Sequence, residues 1–382
     1  MNMTKIINNF LRGWEDEIFK KVTTLINLLE DLKDHPEDII IHCIRHTDLD
    51  GIGVEVVMRK LADATGCGIK FYEEPTNADN SFTEISKIIN PTDYIVIGDL
   101  SFSNPDFVEN IFIQGDDLRK RIVLLDHHKS AMWLQWYDFA YIKPHECKEC
   151  IISSGTILTF LAFKSVLYDN LSIPEFSALE KICDYIAAYD TYFFSEEPVL
   201  SKARYGSYPN DFNILFKYYS NIGKTNEFID TLCNMKCCPT FSLNGEEIIG
   251  AGVNLYINEK DETIIEVQKN NIQSDINRGI RNMSVFSINS KYKDNLTCGV
   301  YYYSGAYISE IGHAMCRDDE KHIDFALIID MNRHKVSMRC ESDDLDLTKL
   351  IEDIPGSGGH PKACGFGFNS DKTTKEILDM LK

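Results

Sequence analysis

Three short apolar segments in the first half of the chain are each followed by Asp and His residues. Each segment has the length and the apolar character of a buried β-strand. The predicted strands are Ile39–Ile44, followed by His46, Asp48 and Asp50; Tyr94–Asp99, which ends in Asp99; and Ile122–Asp126, which ends in Asp126 and is followed by His127 and His128. Helix-like stretches separate the segments. The pattern therefore predicts an α/β sheet with helical crossovers, whose strand ends converge at one edge.

The rest of the chain extends this α/β pattern. Further strands are predicted at Ile69–Glu73 and Phe139–Lys143, and helices at Gly53–Ala64, Thr83–Ile89, Ile157–Leu167 and Glu175–Tyr189. A mixed, aromatic-rich stretch after Ser195 is interpreted as a helical extension that leads into a connector helix at Asp261–Ile276. A smaller α/β unit follows, with predicted strands at Val285–Ile288, Cys298–Tyr303, Phe325–Met331 and Lys335–Cys340.

Length and composition indicate a globular protein with more than one domain. The chain has 382 residues, of which 44% are hydrophobic and 26% charged, and this length favours two domains over one core. No apolar run approaches the ~20 residues of a membrane helix, and the start lacks a signal-peptide core. We therefore expect a cytoplasmic protein without a membrane partner.

Cysteine use fits the same compartment. The chain has 12 cysteines, and in a cytosolic protein these are reduced core residues more often than a disulfide framework. Cys147 and Cys150 have the spacing of half a zinc site, but no second half follows, so their role stays open.

The net charge limits the partners. The formal charge is −20, and Lys and Arg do not gather into the stripe that binding of long nucleic acid requires. We therefore expect no long duplex partner. A small phosphorylated substrate remains compatible, because metals and a few cations in one pocket reverse the local charge.

The first polar cluster has the chemistry of a metal site. Alternate residues of an extended segment point the same way, so His46, Asp48 and Asp50 can project together. Imidazole and carboxylate ligands suit Mn²⁺ or Mg²⁺, and Gly51 allows a sharp turn into the next helix. On this cluster alone, a solvated acidic turn is as good an interpretation.

The other strand ends strengthen the metal interpretation. Asp99 could bridge two metals at the same edge. His127 and His128 are adjacent and cannot point the same way, so one could bind metal while the other reaches a phosphate oxygen. Asp126 would then orient the metal-binding His. A further carboxylate is expected from Asp190, with Asp184 as its rival.

A glycine-rich segment near the end of the chain resembles a phosphate-binding loop. The segment Gly356-Ser357-Gly358-Gly359-His360 lets backbone N–H groups approach an anion, and His360 adds a donor. Arg339 on the preceding strand is a candidate bidentate phosphate ligand; an ordinary surface Arg is an equal alternative.

Taken together, these motifs resemble the DHH–DHHA1 phosphoesterase superfamily over most of the chain. The first motif of the family is matched by His46, Asp48, Asp50 and Gly51, the second by Asp99, the third by Asp126-His127-His128, the fourth by Asp190, and the glycine-rich motif by Ser357 to His360. Ser357 stands where a glycine is common. Several stretches also resemble the stand-alone oligoribonucleases called the NrnB group, namely Leu125–Trp133, Tyr189–Tyr192 and Asp211–Phe216.

The resemblance implies a fold in three parts. These are a parallel-sheet DHH metal-binding catalytic domain over residues 1–194, a helical extension and connector over 195–276, and a smaller α/β DHHA1 substrate-binding domain over 277–382. It also implies two divalent metal ions, with Mn²⁺ ahead of Mg²⁺. One ion is expected on His46, Asp48 and Asp99, and the other on Asp50, Asp99, His127 and Asp190.

The implied reaction is hydrolysis of a phosphodiester by a metal-activated water. His128 and Asp126 are expected to be catalytic, and Arg339, Ser357, Gly358, Gly359 and His360 are expected to bind the substrate. The expected substrates are short RNAs and linear dinucleotides, cleaved to mononucleotides. A homodimer is left open.

Three alternatives remain. A phosphoanhydride hydrolase acting on polyphosphate or pyrophosphate would have cations and no base-stacking aromatics around the cleft, and the run Tyr301–Tyr303 mildly favours nucleobases. A single-stranded DNA exonuclease of the RecJ type is disfavoured by the acidic charge. A silent nucleotide-binding protein would lack ligands, and none of the motif ligands is missing.

Overall fold

The computed structural model describes residues 13–114, 116–145, 152–191, 193, 201–202, 205–237, 241–243, 246–248, 255, 257–370 and 372–381. The chain divides into two compact units, Met1–Glu262 and Thr263–Lys382. The first unit begins with helical residues 13–21. Its helices are α1 Thr23–Asp34, α2 Leu49–Thr65, α3 Asp79–Ile85, α4 Pro105–Gln114, α5 Asp116–Arg119, α6 Gly155–Asn170, α7 Ile173–Asp190, α8 Tyr208–Asn221 and α9 Thr225–Asn234.

A five-stranded sheet forms the centre of the first unit. Its strands are β1 Ile40–His46, β2 Gly68–Glu74, β3 Tyr94–Gly98, β4 Ile122–Asp126 and β5 Ala140–Ile142. Their order is β2-β1-β3-β4-β5, and all neighbours are parallel. Strands β3 and β4 are buried along their whole length, as is typical of parallel strands that are covered on both faces. A short hairpin of β6 Phe241–Leu243 and β7 Glu246–Ile248 lies outside this sheet.

Helices α2 and α6 pack closely beneath the strand ends, because glycines remove the side chains that would separate them. A Cβ on Gly53 of α2 would lie 2.0 Å from the hydroxyl oxygen of Thr156 in α6, and a Cβ on Gly98 would lie 2.6 Å from Val54. Close contact between these helices and β3 places the first turn of α2 and the first turn of α6 next to each other at the carboxyl edge of the sheet.

The second unit is built on a six-stranded mixed sheet. Its elements are α10 Glu259–Asn282, which begins before the unit boundary, β8 Ser284–Ile288, β9 Leu296–Tyr302, α11 Ile308–Cys316, β10 Phe325–Asp330, β11 Lys335–Arg339, α12 Thr348–Ile351, β12 Gly358–His360, β13 Ala363–Gly367 and α13 Thr374–Asp379. The strand order is β12-β13-β11-β10-β9-β8, and only β9 and β10 are parallel.

The observed architecture confirms the predicted fold class, a parallel α/β sheet followed by a smaller α/β unit. The predicted strands differ from the observed ones by two residues or fewer at each end. Four strands were missed. Strands β6 and β7 form a hairpin within the stretch that was predicted as a helical extension. Strands β12 and β13 were missed because their glycine-rich sequences have low intrinsic strand preference. The segment that was predicted as a loop is therefore partly an edge strand, paired as Gly358 with Gly365 and Gly359 with Cys364.

Within the described part of the chain, we find no helix that combines the length and the apolar character needed to cross a bilayer.

Candidate metal centre

The strand order brings the polar segment ends together. Strand β3 lies between β1 and β4, so Asp99, which follows β3, lies between the ends of the two neighbouring strands. His46 ends β1, and His127 follows β4. The carboxyl edge of a parallel sheet is the usual place for ligand binding in such folds.

His46 and Asp48 form one side of the centre. Nδ1 of His46 lies 2.7 Å from Oδ2 of Asp48, and Nε2 of His46 contacts the carbonyl oxygen of Pro75 at 3.1 Å. Asp48 is also the N-cap of α2, where its other oxygen accepts a hydrogen bond from the Gly51 N–H. Both side chains are therefore held in place at the start of the helix.

Asp50 is fixed by the N-terminus of α6. Its two carboxylate oxygens accept hydrogen bonds from the Gly155 N–H at 2.6 Å and the Thr156 N–H at 3.1 Å. The Thr156 hydroxyl donates to the backbone oxygen of Asp50 at 2.7 Å. A carboxylate is favoured at a helix N-terminus, so this contact stabilises and orients Asp50. Each carboxylate oxygen still has a lone pair that can bind a cation.

The role of Gly155 and Thr156 was missed by the sequence analysis. The signal available was Ser154, the N-cap of α6, whose hydroxyl oxygen accepts from the Ile157 N–H. That signal locates a helix start, but it does not indicate which carboxylate binds there.

Asp99 occupies the middle of the centre and is 1% exposed. Its Oδ2 lies 3.8 Å from Nδ1 of His46, and its Oδ1 lies 3.2 Å from Nε2 of His127. The backbone of Asp99 is left-handed, with φ of 59°. Asp99 also packs on Gly155, where a Cβ would lie 2.3 Å from its own Cβ.

His127, Asp50 and Asp190 form the other side of the centre. Nε2 of His127 lies 3.3 Å from Oδ2 of Asp190 and 3.7 Å from Oδ2 of Asp50. Asp190 is the last residue of α7. Asp184, its rival on the same helix, belongs to none of the metal-compatible groups found among the described residues.

Asp126 orients His128 rather than His127, which differs from our expectation. Oδ1 of Asp126 lies 2.7 Å from Nδ1 of His128 and accepts hydrogen bonds from the backbone N–H groups of His127 and His128. Asp126 is fully buried, whereas the His128 side chain is 39% exposed. The buried carboxylate therefore holds this half-exposed imidazole through Nδ1 and leaves Nε2 outside that contact.

The electrostatics of the centre are those of crowded carboxylates. Burial and the nearby carboxylates of Asp50 and Asp48 raise the pKa of Asp99 well above its usual range. Burial and the same two carboxylates also raise the pKa of Asp190. Burial alone would lower the pKa of His128, but the hydrogen bond to Asp126 raises it to about 9. Like charges at this density favour a bound cation.

Several buried polar atoms of this centre lack hydrogen-bond partners, as expected of a site that binds divalent ions. Among the described residues, buried atoms without a hydrogen-bond partner include Oδ2 of Asp99, Oδ2 of Asp126, Nε2 of His127 and Oδ2 of Asp190. Buried polar atoms normally have partners, and here they face one another. At this edge, ligand atoms lie within 4.8 Å of one another in three groups: His46 with Asp48 and Asp99; Asp50 with His127 and Asp190; and Asp99 with Asp126, His127 and His128. The cluster therefore fits divalent metal ions.

The predicted substrate residues lie in the second unit. Arg339 ends β11, His360 ends β12, and both pair with Ala363 of β13, so they lie in one row across the sheet. Nε of Arg339 donates to the Ser309 hydroxyl at 3.2 Å. The hydroxyl of Ser357 donates to the backbone oxygen of Ile351 at 2.7 Å. This hydroxyl therefore holds the turn after α12.

Two of the predictions fall outside what the structure describes. The side chain of His360 is not among the described parts, although its backbone belongs to β12. Cys147 and Cys150 lie outside the described residues. Gly358 and Gly359 are described, and among the described residues no atom lies within 4 Å of the position that a Cβ on Gly358 would take.

The chain is similar in sequence to one known nuclease and in fold to two solved nuclease structures. The chain is 23% identical over 335 residues to oligoribonuclease NrnB of Bacillus subtilis strain 168, which covers 86% of this chain and 73% of that protein. RecJ of Thermus thermophilus, solved with Mn²⁺, has a TM-score of 0.55 at 12% identity, and the match covers 94% of this chain and 53% of that one.

A second structure, exonuclease RecJ bound to manganese, has a TM-score of 0.50 at 11% identity and covers 97% of this chain and 92% of that one. The chain thus spans about half the length of the Thermus enzyme. No family model matches the chain.

Proposed function

We propose that this chain, whose motifs resemble those of the DHH phosphoesterases, hydrolyses short RNA oligonucleotides and linear dinucleotides to mononucleotides. We propose two divalent metal ions as its cofactors, with Mn²⁺ preferred to Mg²⁺. The observation that carries the proposal is the position of Asp99. Its two carboxylate oxygens face His46 on one side and His127 on the other, so Asp99 would help to hold both ions.

The ligands divide into two sets around Asp99. His46 and Asp48 would hold one ion together with Asp99, and Asp50, His127 and Asp190 would hold the other with it. When bound, two such ions lower the pKa of a water between them and neutralise the charge on the phosphoryl group.

His128 is the candidate proton donor of the reaction. Asp126 holds its Nδ1, so Nε2 is the nitrogen that faces the substrate. From there the ring would donate a hydrogen bond to a phosphoryl oxygen or a proton to the leaving alcohol. The buried carboxylate fixes the ring orientation and stabilises its protonated form.

The charge of the chain and its similarity to a known enzyme both favour a short substrate. The chain carries a net charge of −20, which disfavours long polyanions because their affinity comes mainly from phosphate neutralisation. Its relative in Bacillus subtilis is named an oligoribonuclease. Both observations favour short RNA over long single strands or duplexes.

We propose that the second unit binds another phosphate or the terminal nucleotide of the substrate. Arg339 would supply charge, and the glycine-rich edge from Ser357 to His360 would supply backbone N–H groups. Since the hydroxyl of Ser357 already holds the turn, only its backbone is expected to reach the substrate.

A length series of RNA tests the proposal. Purified protein with Mn²⁺ is mixed with 5′-labelled RNAs from the dinucleotide to a long single strand, and the products are resolved over time. We expect mononucleotides to appear fastest from the shortest RNAs. The variant Asp99→Asn should lose activity by at least ~100-fold, whereas the exposed control Asp106→Asn should keep it.

Other outcomes would redirect the assignment. Phosphate release from polyphosphate or pyrophosphate, without cleavage of any RNA, would contradict the phosphodiesterase proposal and support the phosphoanhydride alternative. Faster cleavage of long single-stranded DNA than of short RNA would instead support an exonuclease of the RecJ type.

A further inference from the structure

A groove of about 620 Å³ lies on the first unit, along the edge strand β5. Helical residues 13–21 form one wall, and the 3₁₀ helix Lys129–Trp136 forms another. Lys20, Lys21, Lys143, Trp136 and Tyr141 are among its lining residues. This volume is within the range of small-ligand sites, and none of these residues belongs to the metal centre.

The groove is basic in an acidic chain. Three lysines line it against one carboxylate, Glu17, and that carboxylate accepts a hydrogen bond from the Tyr141 hydroxyl at 2.7 Å. Among the described residues, neither Lys20 nor Lys21 has a carboxylate within ion-pair distance. Two unneutralised cations beside a cavity therefore favour an anionic ligand.

An exposed indole completes the groove. Trp136 is 83% exposed, although tryptophan normally buries most of its ring. Trp14, beneath the groove, is buried and holds the Lys143 ammonium 5.3 Å from its ring centroid. An exposed aromatic face beside lysines is the combination that binds single-stranded nucleic acid, because bases stack on the ring while cations contact the phosphates.

The groove begins beside the metal centre. The Lys143 backbone N–H donates to the backbone oxygen of Asp126 at 2.9 Å, so this end lies one strand away from the Asp126-His127-His128 motif. At the other end, the 3₁₀ helix runs directly from His128 to Trp136 in 8 residues. At ~2 Å per residue, Trp136 lies about 16 Å along the helix from His128.

We propose that this groove binds the tail of a single-stranded oligonucleotide whose end is hydrolysed at the metal centre. The phosphates contact Lys20, Lys21 and Lys143, and a base stacks on Trp136. This inference rests on the proposed function for the identity of the ligand. A stacked strand spans about 16 Å with about five nucleotides, so a dinucleotide at the metal centre is too short to reach Trp136.

The first test compares two substrate lengths. The value of kcat/KM is measured with a dinucleotide and with a heptanucleotide RNA for wild type and Trp136→Ala. We expect a loss of about 10-fold for the heptanucleotide and less than about twofold for the dinucleotide. Trp136→Phe should restore most of the loss, and Tyr168→Ala, which removes another exposed ring, should change neither value.

The second test measures binding without turnover. In the presence of a chelator, heptanucleotide binding is followed by fluorescence anisotropy of a labelled strand over a salt series. The double variant Lys20→Gln, Lys21→Gln should reduce the slope of log Kd against log salt by about 1.4. Lys87→Gln, on an exposed lysine paired with Glu84, should leave the slope unchanged.

These two tests separate the inference from the proposed function. If no RNA is hydrolysed but the heptanucleotide binds with the expected dependence on Trp136 and the lysines, the groove proposal stands and the proposed function fails. If RNA is hydrolysed and Trp136→Ala affects both lengths equally or neither, the groove proposal is wrong. Conversion of a dimer to a monomer by Trp136→Ala, with unchanged oligonucleotide binding, would also overturn it.

Discussion

At the residue scale, two adjacent histidines have opposite environments. His127 points inward toward Asp99 and Asp190, and burial lowers its pKa, which favours the neutral ring that binds metals. The side chain of His128 is 39% exposed and is held by Asp126. We infer that the motif assigns metal binding to the first His and proton donation to the second.

This division predicts the effect of Asp126→Asn. The variant should retain its divalent metal ions, because Asp126 orients His128 and not His127. It should lower kcat by about 10- to 100-fold, since the His128 ring loses its orientation and its stabilised proton. Metal analysis and steady-state kinetics on a short RNA measure both quantities.

The variant His128→Gln provides the comparison. The double variant Asp126→Asn, His128→Gln should be no slower than His128→Gln alone, because Asp126 acts through that ring. Loss of metal in Asp126→Asn would contradict this division and indicate that the unpartnered Oδ2 of Asp126 is a ligand.

The sequence predicted which residues form the centre, but it did not predict that Asp126 contacts His128. His46, Asp48, Asp50, Asp99, His127 and Asp190 were all expected in one centre, and the structure brings them together. The partner of Asp126 depends on which way each ring turns after β4, and adjacent residues of an extended chain give no periodic signal that decides it.

At the element scale, the centre depends on the close approach of two helix starts to a strand end. The first turn of α2 carries Asp50, and the first turn of α6 binds it through backbone N–H groups. Gly51 and Gly155 make this possible, because a Cβ on Gly51 would lie 2.1 Å from the His46 oxygen and one on Gly155 would lie 2.3 Å from Asp99.

This packing predicts a large effect of Gly155→Ala. The added methyl group must displace Asp99 or the N-terminus of α6, and overpacking of this kind costs about 1–3 kcal/mol in the free energy of unfolding. Metal affinity should also fall, because Asp99 and Asp50 both contact this turn. Urea unfolding and calorimetric titration with Mn²⁺ measure the two effects.

Gly68→Ala is the matched control, since its Cβ would lie at an ordinary 3.5 Å from Ile40. Equal stability and metal affinity of the two variants would contradict the importance of the Gly155 contact.

The positions of the helices and strands themselves were largely predictable, because apolar runs mark the parallel strands. The α6 contact was not, since it joins Asp50 to Gly155 through backbone groups that leave no pattern in the sequence.

At the scale of the whole molecule, the metal centre couples cofactor binding to stability. Asp48, Asp50, Asp99 and Asp190 meet at the carboxyl edge of one sheet, and their mutual repulsion acts against folding when no cation is bound. The groove along β5 adds a basic surface to the same unit. The first unit therefore has an acidic region at the metal centre and a basic region at the groove, although the net charge of the chain is negative.

The chelated protein should lose stability as pH rises from about 4. Burial and neighbouring carboxylates raise the folded-state pKa of Asp99 and Asp190 above 3.8. Between the unfolded and folded pKa values the folded chain binds more protons, so the free energy of unfolding falls as pH increases. Addition of Mn²⁺ at about 100 times Kd should add about 2.7 kcal/mol per site at neutral pH.

Urea unfolding over a pH series, with chelator and with Mn²⁺, checks this expectation. A chelated protein whose stability rises steadily with pH, or which does not respond to Mn²⁺, would contradict it.

At this scale, the second unit was the less predictable part of the chain. Its apolar strands were recognised, but β12 and β13 contain several glycines and pair mainly through their backbones. Glycine has a low strand preference and leaves no alternating pattern.

The number of metal ions bound per chain tests most directly whether Asp99 belongs to two metal sites. Mn²⁺ binding is measured by isothermal titration and by elemental analysis after desalting, for wild type, Asp99→Asn and the exposed control Asp106→Asn. We expect two Mn²⁺ ions for wild type and for the control. For Asp99→Asn we expect at most one weakly bound ion, because both proposed sites share that carboxylate. A single site in the wild type, or two sites of unchanged affinity in Asp99→Asn, would contradict the bridging role of Asp99.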